Sequence, residues 1–237
     1  MEHFFNRYEV KTVLGEGATA RVFLLWDRKL CRYAAAKYSG DRELLLQEAV
    51  YLHTFSHAAF PGAYDYREGY CGDCLLLEYI EGENLKQRGR RIGNYTEEEA
   101  VFIGVSLAQA LLTLHEGSPA CVYGDLKPEN VMMQPDGRVR LVDFGTVQPL
   151  KADRGQAVIR GGTPLYAPPE TWREMPDVRN DIYAWGRLLQ ILLETGQRAS
   201  CSAAFLRILE RATQKEKAHR YPNMRILLSA LDTCGFS

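Results

Sequence analysis

At 237 residues, with 29 Lys and Arg against 30 Asp and Glu, the chain carries a formal charge of −1. That balance gives no reason to expect nucleic acid or an acidic membrane as partner, and no run of about 20 apolar residues is present to span a bilayer. A composition of 46% hydrophobic and 25% charged residues suits a chain that buries a sizeable core.

The start, Met1-Glu2-His3-Phe4-Phe5-Asn6-Arg7, lacks the basic opening and long apolar centre of a secretion signal. Up to about Tyr79 the residues alternate apolar and polar as strands do, and one helical stretch from Arg42 to Thr54 interrupts them. Runs at 64–68 and 75–79 read as paired strands, so Cys71-Gly72-Asp73-Cys74 reads as the hairpin turn between them. A zinc site would need a second ligand pair. Cys31, Cys121, Cys201 and Cys234 are scattered, which fits a reducing cytoplasm rather than a disulfide framework. Arg88-Gly89-Arg90-Arg91 is a short charge run and reads as a solvated loop. Thr96-Glu97-Glu98-Glu99 is a capping box opening a long amphipathic helix that ends near His115. Helical periodicity returns at 181–194, 203–212 and 224–231, and no repeat, low-complexity tract or linker divides the chain.

Between Tyr123 and Gly145 lies the most informative stretch, YGDLKPENVMMQPDGRVRLVDFG. Val131-Met132-Met133 and Val139-Arg140-Leu141-Val142 are short apolar runs separated by Gln134-Pro135-Asp136-Gly137-Arg138, in which Pro and Asp-Gly form turns. Antiparallel pairing of the two runs brings Asn130 beside Asp143. An amide oxygen and a carboxylate then converge, the hard donors that Mg²⁺ takes when phosphates complete its shell. Asp125 can accept a proton from an attacking hydroxyl, and Lys127 offers a point charge to a phosphoryl group. The chemistry indicated is phosphoryl transfer.

Asp125-Leu126-Lys127-Pro128-Glu129-Asn130 and Asp143-Phe144-Gly145, in this order and separation, resemble the catalytic loop and metal-binding motif of the eukaryotic-type (Hanks-type) Ser/Thr protein kinases. The resemblance runs from Tyr8 to about Leu231. It implies an α+β, bilobal fold and a single kinase domain over 1–237. An antiparallel β-sheet N-lobe (1–79) would hold one helix, the family's αC, and a mainly helical C-lobe (80–237) would follow. Gly15-Glu16-Gly17-Ala18-Thr19-Ala20-Arg21-Val22 resembles the glycine-rich loop, with Ala20 in place of the third glycine. Ala35-Ala36-Lys37 resembles the strand end whose lysine reaches the α- and β-phosphates of ATP. Glu48 aligns as the helix partner of Lys37, by its spacing to Ser56-His57 and Pro61, with Glu43 as the rival. The likeness puts the hinge at Glu78-Tyr79-Ile80-Glu81, the backbone of Glu78 and Ile80 at the adenine edge, Leu77 at the back of the pocket and Asn84 at the ribose. Leu14, Val22, Ala35 and Met132 would wall the adenine, although ordinary core packing explains such residues too.

The same likeness assigns Mg²⁺, or Mn²⁺, to Asn130 and Asp143, and lets Thr163 bridge Asp125 and Lys127. Gly162 to Glu170 resembles the end of an activation segment, with Pro168-Pro169-Glu170 where Ala-Pro-Glu is usual. Asp181-Ile182-Tyr183-Ala184-Trp185-Gly186 resembles the start of a central helix, and Glu170 with Arg220 a partly buried ion pair. The implied partners are proteins bearing Ser or Thr.

Three departures refine this. Tyr123-Gly124-Asp125 replaces His-Arg-Asp, removing the arginine that receives a loop phosphate, and residues 146–162 contain no Ser or Tyr and only Thr146 at the edge. Activity without activation-loop phosphorylation is therefore expected. Only Gln197 to Ser202 separates Gly196 from the next helix, where the family has a further helix that docks substrates. Tyr-Gly-Asp-Leu is also similar to the His-Gly-Asp of aminoglycoside and choline kinases, so a small-molecule phosphotransferase is one alternative and a nucleotide-binding pseudokinase another. Lys127-Pro128-Glu129 favours the Ser/Thr protein-kinase form. Brevity and loop form suit a bacterial stand-alone kinase or a domain cut from a longer chain.

Overall fold

In the computed structural model, which describes residues 6–17, 20–69, 72–150, 162–194 and 201–236, the N-terminal alternating residues form strands β1 (Tyr8–Glu16), β2 (Ala20–Asp27) and β3 (Arg32–Ser39). With β4 (Ala63–Arg67) and β5 (Asp73–Glu78) they make an antiparallel sheet of order β1-β2-β3-β5-β4. One face buries Tyr8, Leu25, Ala34, Ala36 and Leu76, alternate positions as the pleat requires. The β2–β3 turn is pinned by Asp27, which accepts both guanidinium bonds of Arg7 and the amides of Lys29 and Leu30. The Arg7 bonds above all hold the Asp27 carboxyl down to about 2. Helix α1 (Arg42–Thr54) is capped by Asp41, whose side chain accepts from the Leu44 amide at 3.1 Å, and it buries Leu45, Glu48, Tyr51 and Leu52.

Strand β5 starts at Asp73, earlier than its apolar run indicates, because Asp73 pairs with Ser39 and accepts from Tyr66 Oη at 2.5 Å and the Gly69 amide. Cys74 is therefore a strand residue between Tyr38 and Arg67, and burial pushes its thiol up to about 11. Such a thiol is a poor nucleophile. Cys71, its expected turn neighbour, lies outside the described residues.

The chain divides into two units, residues 1–56 with 60–81, and residues 57–59 with 82–237. The first thus extends two residues past Tyr79, and 57–59 join the second, where the Leu141 amide donates to Ala59 O at 2.8 Å.

In the second unit, residues 88–91 are not a loop. They lie in helix α2 (Leu85–Ile92), which the charge run concealed. Asn84 and Gln87 form a capping box, Leu85 is fully buried, and Arg88 and Arg91 pair with Glu83, Arg88 also with Glu99. Helix α3 (Glu97–His115) opens with the Thr96–Glu99 capping box. It crosses α4 (Val178–Glu194) at Gly104: a Cβ there would stand 2.8 Å from Leu189 Cδ1, and Trp185 Nε1 donates to Gly104 O at 2.8 Å. The first turn of α4 begins at Val178 rather than 181, with Asn180 Oδ1 accepting from the Asp177 amide. Helices α5 (Ala203–Ala212) and α6 (Met224–Thr233) complete the unit, burying Phe205, Ile208, Leu209, Met224 and Leu227. No helix among the described residues is long and apolar enough to cross a membrane.

Arg220 ties this unit together. Its side chain is fully buried, grips Glu170 bidentately at 2.5 and 3.0 Å, and also donates to the carbonyls of Gln214, Lys215 and Arg179. Removing one partner of such a pair leaves a buried charge uncompensated. Arg220→Met should lower unfolding free energy in urea by about 3–5 kcal/mol; a change within ~0.5 kcal/mol, the scale of an ordinary surface substitution, would show the pair to be dispensable.

Candidate functional site

The loop that carries the candidate acid and lysine leaves strand β7 (Cys121–Val122), and beyond the hairpin the chain returns to pair with it as β10 (Gln148–Pro149). Between them, short strands β8 (Val131–Met133) and β9 (Val139–Leu141) join β6 (Glu83–Asn84) in one small sheet of the second unit. The β8–β9 hairpin pairs Val131 with Leu141, Met132 with Arg140 and Met133 with Val139, and its turn closes through the Gly137 amide to Gln134 O. The ladder continues one step, Val142 N donating to Asn130 O at 2.9 Å, so Asn130 and Asp143 end as near neighbours. Asp143 adopts φ +66°, a left-handed conformation that aspartate tolerates better than most residues.

Upstream, a 3₁₀ turn at Pro128–Asn130 folds the loop back, and Asn130 Nδ2 donates to Asp125 O at 2.9 Å. That leaves the amide oxygen of Asn130 for a cation. Asp125, 9% exposed, receives Lys127 Nζ on Oδ2 at 2.5 Å and the Thr163 hydroxyl on Oδ1 at 2.8 Å. Lys127 also donates to Thr163 Oγ1 at 3.3 Å. Acid, lysine and hydroxyl form a closed triangle held from behind by Asn130.

Behind the loop sits Asp181, 1% exposed. It accepts from the amides of Tyr123 at 2.7 Å and Gly124 at 3.0 Å, and His115 Nε2 lies 2.9 Å from its Oδ2. Sequence reasoning finds Asp181 but misses His115, because a lone His ending an apolar helix carries no signal. Tyr123 is fully buried, packs edge-on to Phe144 at 5.7 Å and donates through Oη to Val142 O at 2.5 Å. Thr146 Oγ1 donates to Tyr123 O at 2.9 Å. Gly124 has φ +88°, and a Cβ there would meet Thr146 O at 2.9 Å, so any side chain at 124 displaces the segment after Gly145.

In the first unit, Lys37 Nζ bonds Glu48 Oε2 at 2.6 Å, both nearly buried, which selects Glu48 over Glu43 as its partner. Lys37 lies opposite Val22, and Ala35 opposite Leu24 and Leu77. Ala35, Leu77 and Ile80 are buried, Val22 is half-buried and Leu14 is exposed. Around the β1–β2 turn, Glu16 pairs with Arg21 and the Gly17 amide donates to Ala20 O; Gly15 is open. Ala18 lies outside the described residues, as do 151–161 of the activation segment and 195–200. Glu78 donates its amide to Gly62 O, and its carboxylate accepts from the Gly62 amide. In the second unit Met132 is half-buried and paired with Asn84. Asn84 Oδ1 is engaged as the α2 cap, accepting from the Gln87 amide at 2.8 Å, which competes with the ribose contact expected of it.

A family model described as the protein kinase domain matches residues 8–224. The chain is 30% identical over 206 residues to the probable serine/threonine-protein kinase PknB of Corynebacterium glutamicum, covering 79% of this chain and 31% of that protein. It is 30% identical over 213 residues to serine/threonine-protein kinase PknB of Mycolicibacterium smegmatis, covering 83% and 33%. With serine/threonine-protein kinase Nek3 of Mus musculus the identity is 28% over 192 residues, covering 78% and 37%. The chain thus spans about a third of the length of these curated relatives.

Proposed function

The chain belongs to the protein kinase domain family, and from that premise we propose that it transfers the γ-phosphoryl group of ATP to Ser or Thr hydroxyls of proteins. The observation that carries this reading is the convergence of Lys127 and Thr163 on Asp125, with Asn130 locked behind it. Thr163 Oγ1 occupies the place of a hydroxyl beside a carboxylate, the geometry a general base needs.

Members of this family use ATP with Mg²⁺ and act on protein substrates. The residues here fit the metal: Asn130 and Asp143 offer two hard oxygens, and no group of three His, Cys, Asp or Glu side chains that could hold a metal occurs among the described residues. Two protein oxygens with phosphate and water completing the shell is the usual Mg²⁺ arrangement. When bound, the ion would offset charge on the phosphates. Lys37, oriented by Glu48, fixes the α- and β-phosphates under the glycine-rich loop, and the hinge residues Glu78 and Ile80 bind adenine through their backbone. Asp125 takes the substrate hydroxyl's proton as transfer proceeds, and Lys127 offsets charge on the moving group. We place this chemistry in the cytoplasm, where cysteines such as Cys31, Cys74 and Cys234 stay reduced.

The reading extends to regulation. A phosphate in the activation segment needs a cationic receiver, and position 124 has only glycine, its Cβ space closed by Thr146 O. The test is incubation with Mg²⁺ and γ-labelled ATP, alone, with generic protein substrates and with a metabolite mixture, followed by mass spectrometry. Label on Ser or Thr of protein is expected, with phosphatase-treated enzyme turning over from the first minute without a lag. Label on small alcohols alone would overturn the substrate class, and turnover that appears only after stoichiometric phosphate at residues 146–162 would overturn the regulation.

A further inference from the structure

Gly124 is the most mobile type of residue in the most demanding place, immediately before the proposed base. Its amide is held by Asp181 Oδ1 at 3.0 Å. Its carbonyl accepts no hydrogen bond among the described residues. Next to it is a partly open pocket with about 10 Å³ of room, lined in part by Gly124, Asp125, Thr163, Thr171, Asn180 and Asp181. About 10–15 Å³ is the room one water needs, and a water needs at least two polar partners to stay.

Thr171 supplies the second partner. It is 2% exposed, and its Oγ1 has no hydrogen-bond partner among the described residues. A buried hydroxyl left dry bears its full desolvation penalty. Gly124 and Thr171 line the same pocket, and a Cβ built on the neighbouring Gly162 would stand 3.6 Å from Gly124 O and 3.6 Å from the Thr171 methyl.

We propose that this cavity is a one-water site in which the water accepts from Thr171 Oγ1–H and donates to Gly124 C=O, making Thr171 a positioning residue for Asp125. Both backbone groups of Gly124 are then fixed, one by Asp181 and one through Thr171. The tether runs from the loop bearing the base to the segment that begins at Thr163, whose hydroxyl already meets Asp125. A bridging water holds polar groups nearly as well as a direct bond. The role in catalysis rests on the reading of Asp125 as proton acceptor.

Thr171→Val keeps the shape and removes the hydroxyl, whereas Thr171→Ser keeps the hydroxyl. High-resolution crystal structures should show an ordered oxygen within hydrogen-bond reach of residue 171 and Gly124 O in the wild type and the Ser variant, and not in the Val variant. The Val variant should lose about three- to tenfold in kcat on a protein substrate with KM for ATP unchanged, as a slightly misplaced base does, and Ser should restore it. If Thr171 is only a core residue, Val removes a dry hydroxyl, raises the melting temperature and leaves kcat alone; that result, or no density at the site in the wild type, overturns the proposal. Were the wild type itself to transfer nothing to Ser or Thr, the reading of Asp125 would fall while the density still decided the water.

Discussion

Asp143→Asn should give a folded protein that has lost Mg²⁺-dependent transfer, with kcat down by about a thousandfold or more. The substitution is gentle to the backbone, since Asp143 holds φ +66° and asparagine accepts that region as readily as aspartate. It is also gentle to packing, because the side chain keeps its shape. What it removes is a full negative charge from the pair of oxygens that Asn130 and Asp143 present at the base of the β8–β9 hairpin. A neutral amide pair holds a hard divalent ion far less well than one carboxylate and one amide. The measurement is kcat against Mg²⁺ concentration, with thermal unfolding alongside. Melting within a few degrees of wild type is expected, together with a Mg²⁺ requirement that rises beyond practical concentrations. If the variant turned over at the wild-type rate with an unchanged Mg²⁺ requirement, Asp143 would not be a metal residue.

The hairpin that makes this prediction possible is legible in the amino-acid sequence because its information is local. Pro-Asp-Gly between two short apolar runs sets a turn, and antiparallel pairing then dictates which flanking residues meet. The start of α3 is legible for the same reason, a capping box within three residues, and α1 shows by its helical spacing. Helix α2 is not, since Arg88, Gly89, Arg90 and Arg91 look like solvated charge. What makes them helical is a capping box at Asn84 and Gln87 with Glu83 and Glu99 drawing in the arginines. Pairs eight and eleven residues apart do not show in a composition window. Asn84 misleads in the same way, as a polar residue free to meet a ligand, when its side-chain oxygen serves the helix it starts.

The site is legible in its acids and bases and not in its supports. Asp125, Lys127, Asn130 and Asp143 lie within nineteen positions and announce themselves by type and spacing. His115, Thr146 and Thr171 act on the same loop from three other places in the chain, and each has an ordinary residue type. Gly124 falls between the two. Its presence is visible as the loss of an arginine, but the reason is tertiary: the Thr146 carbonyl stands where a Cβ would go. Restoring arginine at 124 therefore cannot simply restore a phosphate receiver.

Asp125→Asn separates the chemistry from nucleotide binding. The carboxylate accepts from Lys127 on one oxygen and from Thr163 on the other, so it is the negative centre of the triangle. Asparagine keeps one acceptor and turns an NH₂ group toward a cation or a hydroxyl proton, which neither partner can accommodate without moving. Loss of a positioned general base costs about 10²–10⁴-fold, and kcat should fall by that amount while KM for ATP stays within about twofold, because none of the residues proposed to bind ATP is altered. Lys127→Ala alone should also be severe, since it removes the charge proposed to offset the transferring group and breaks the ion pair with Asp125. In the Asp125→Asn background, however, Lys127→Ala should cost little more, because residues that act as one unit are not additive. A double variant whose loss equals the product of the two single losses would mean that Asp125 and Lys127 work independently. The closed triangle with Thr163 would then be a packing feature rather than the device that aims the base.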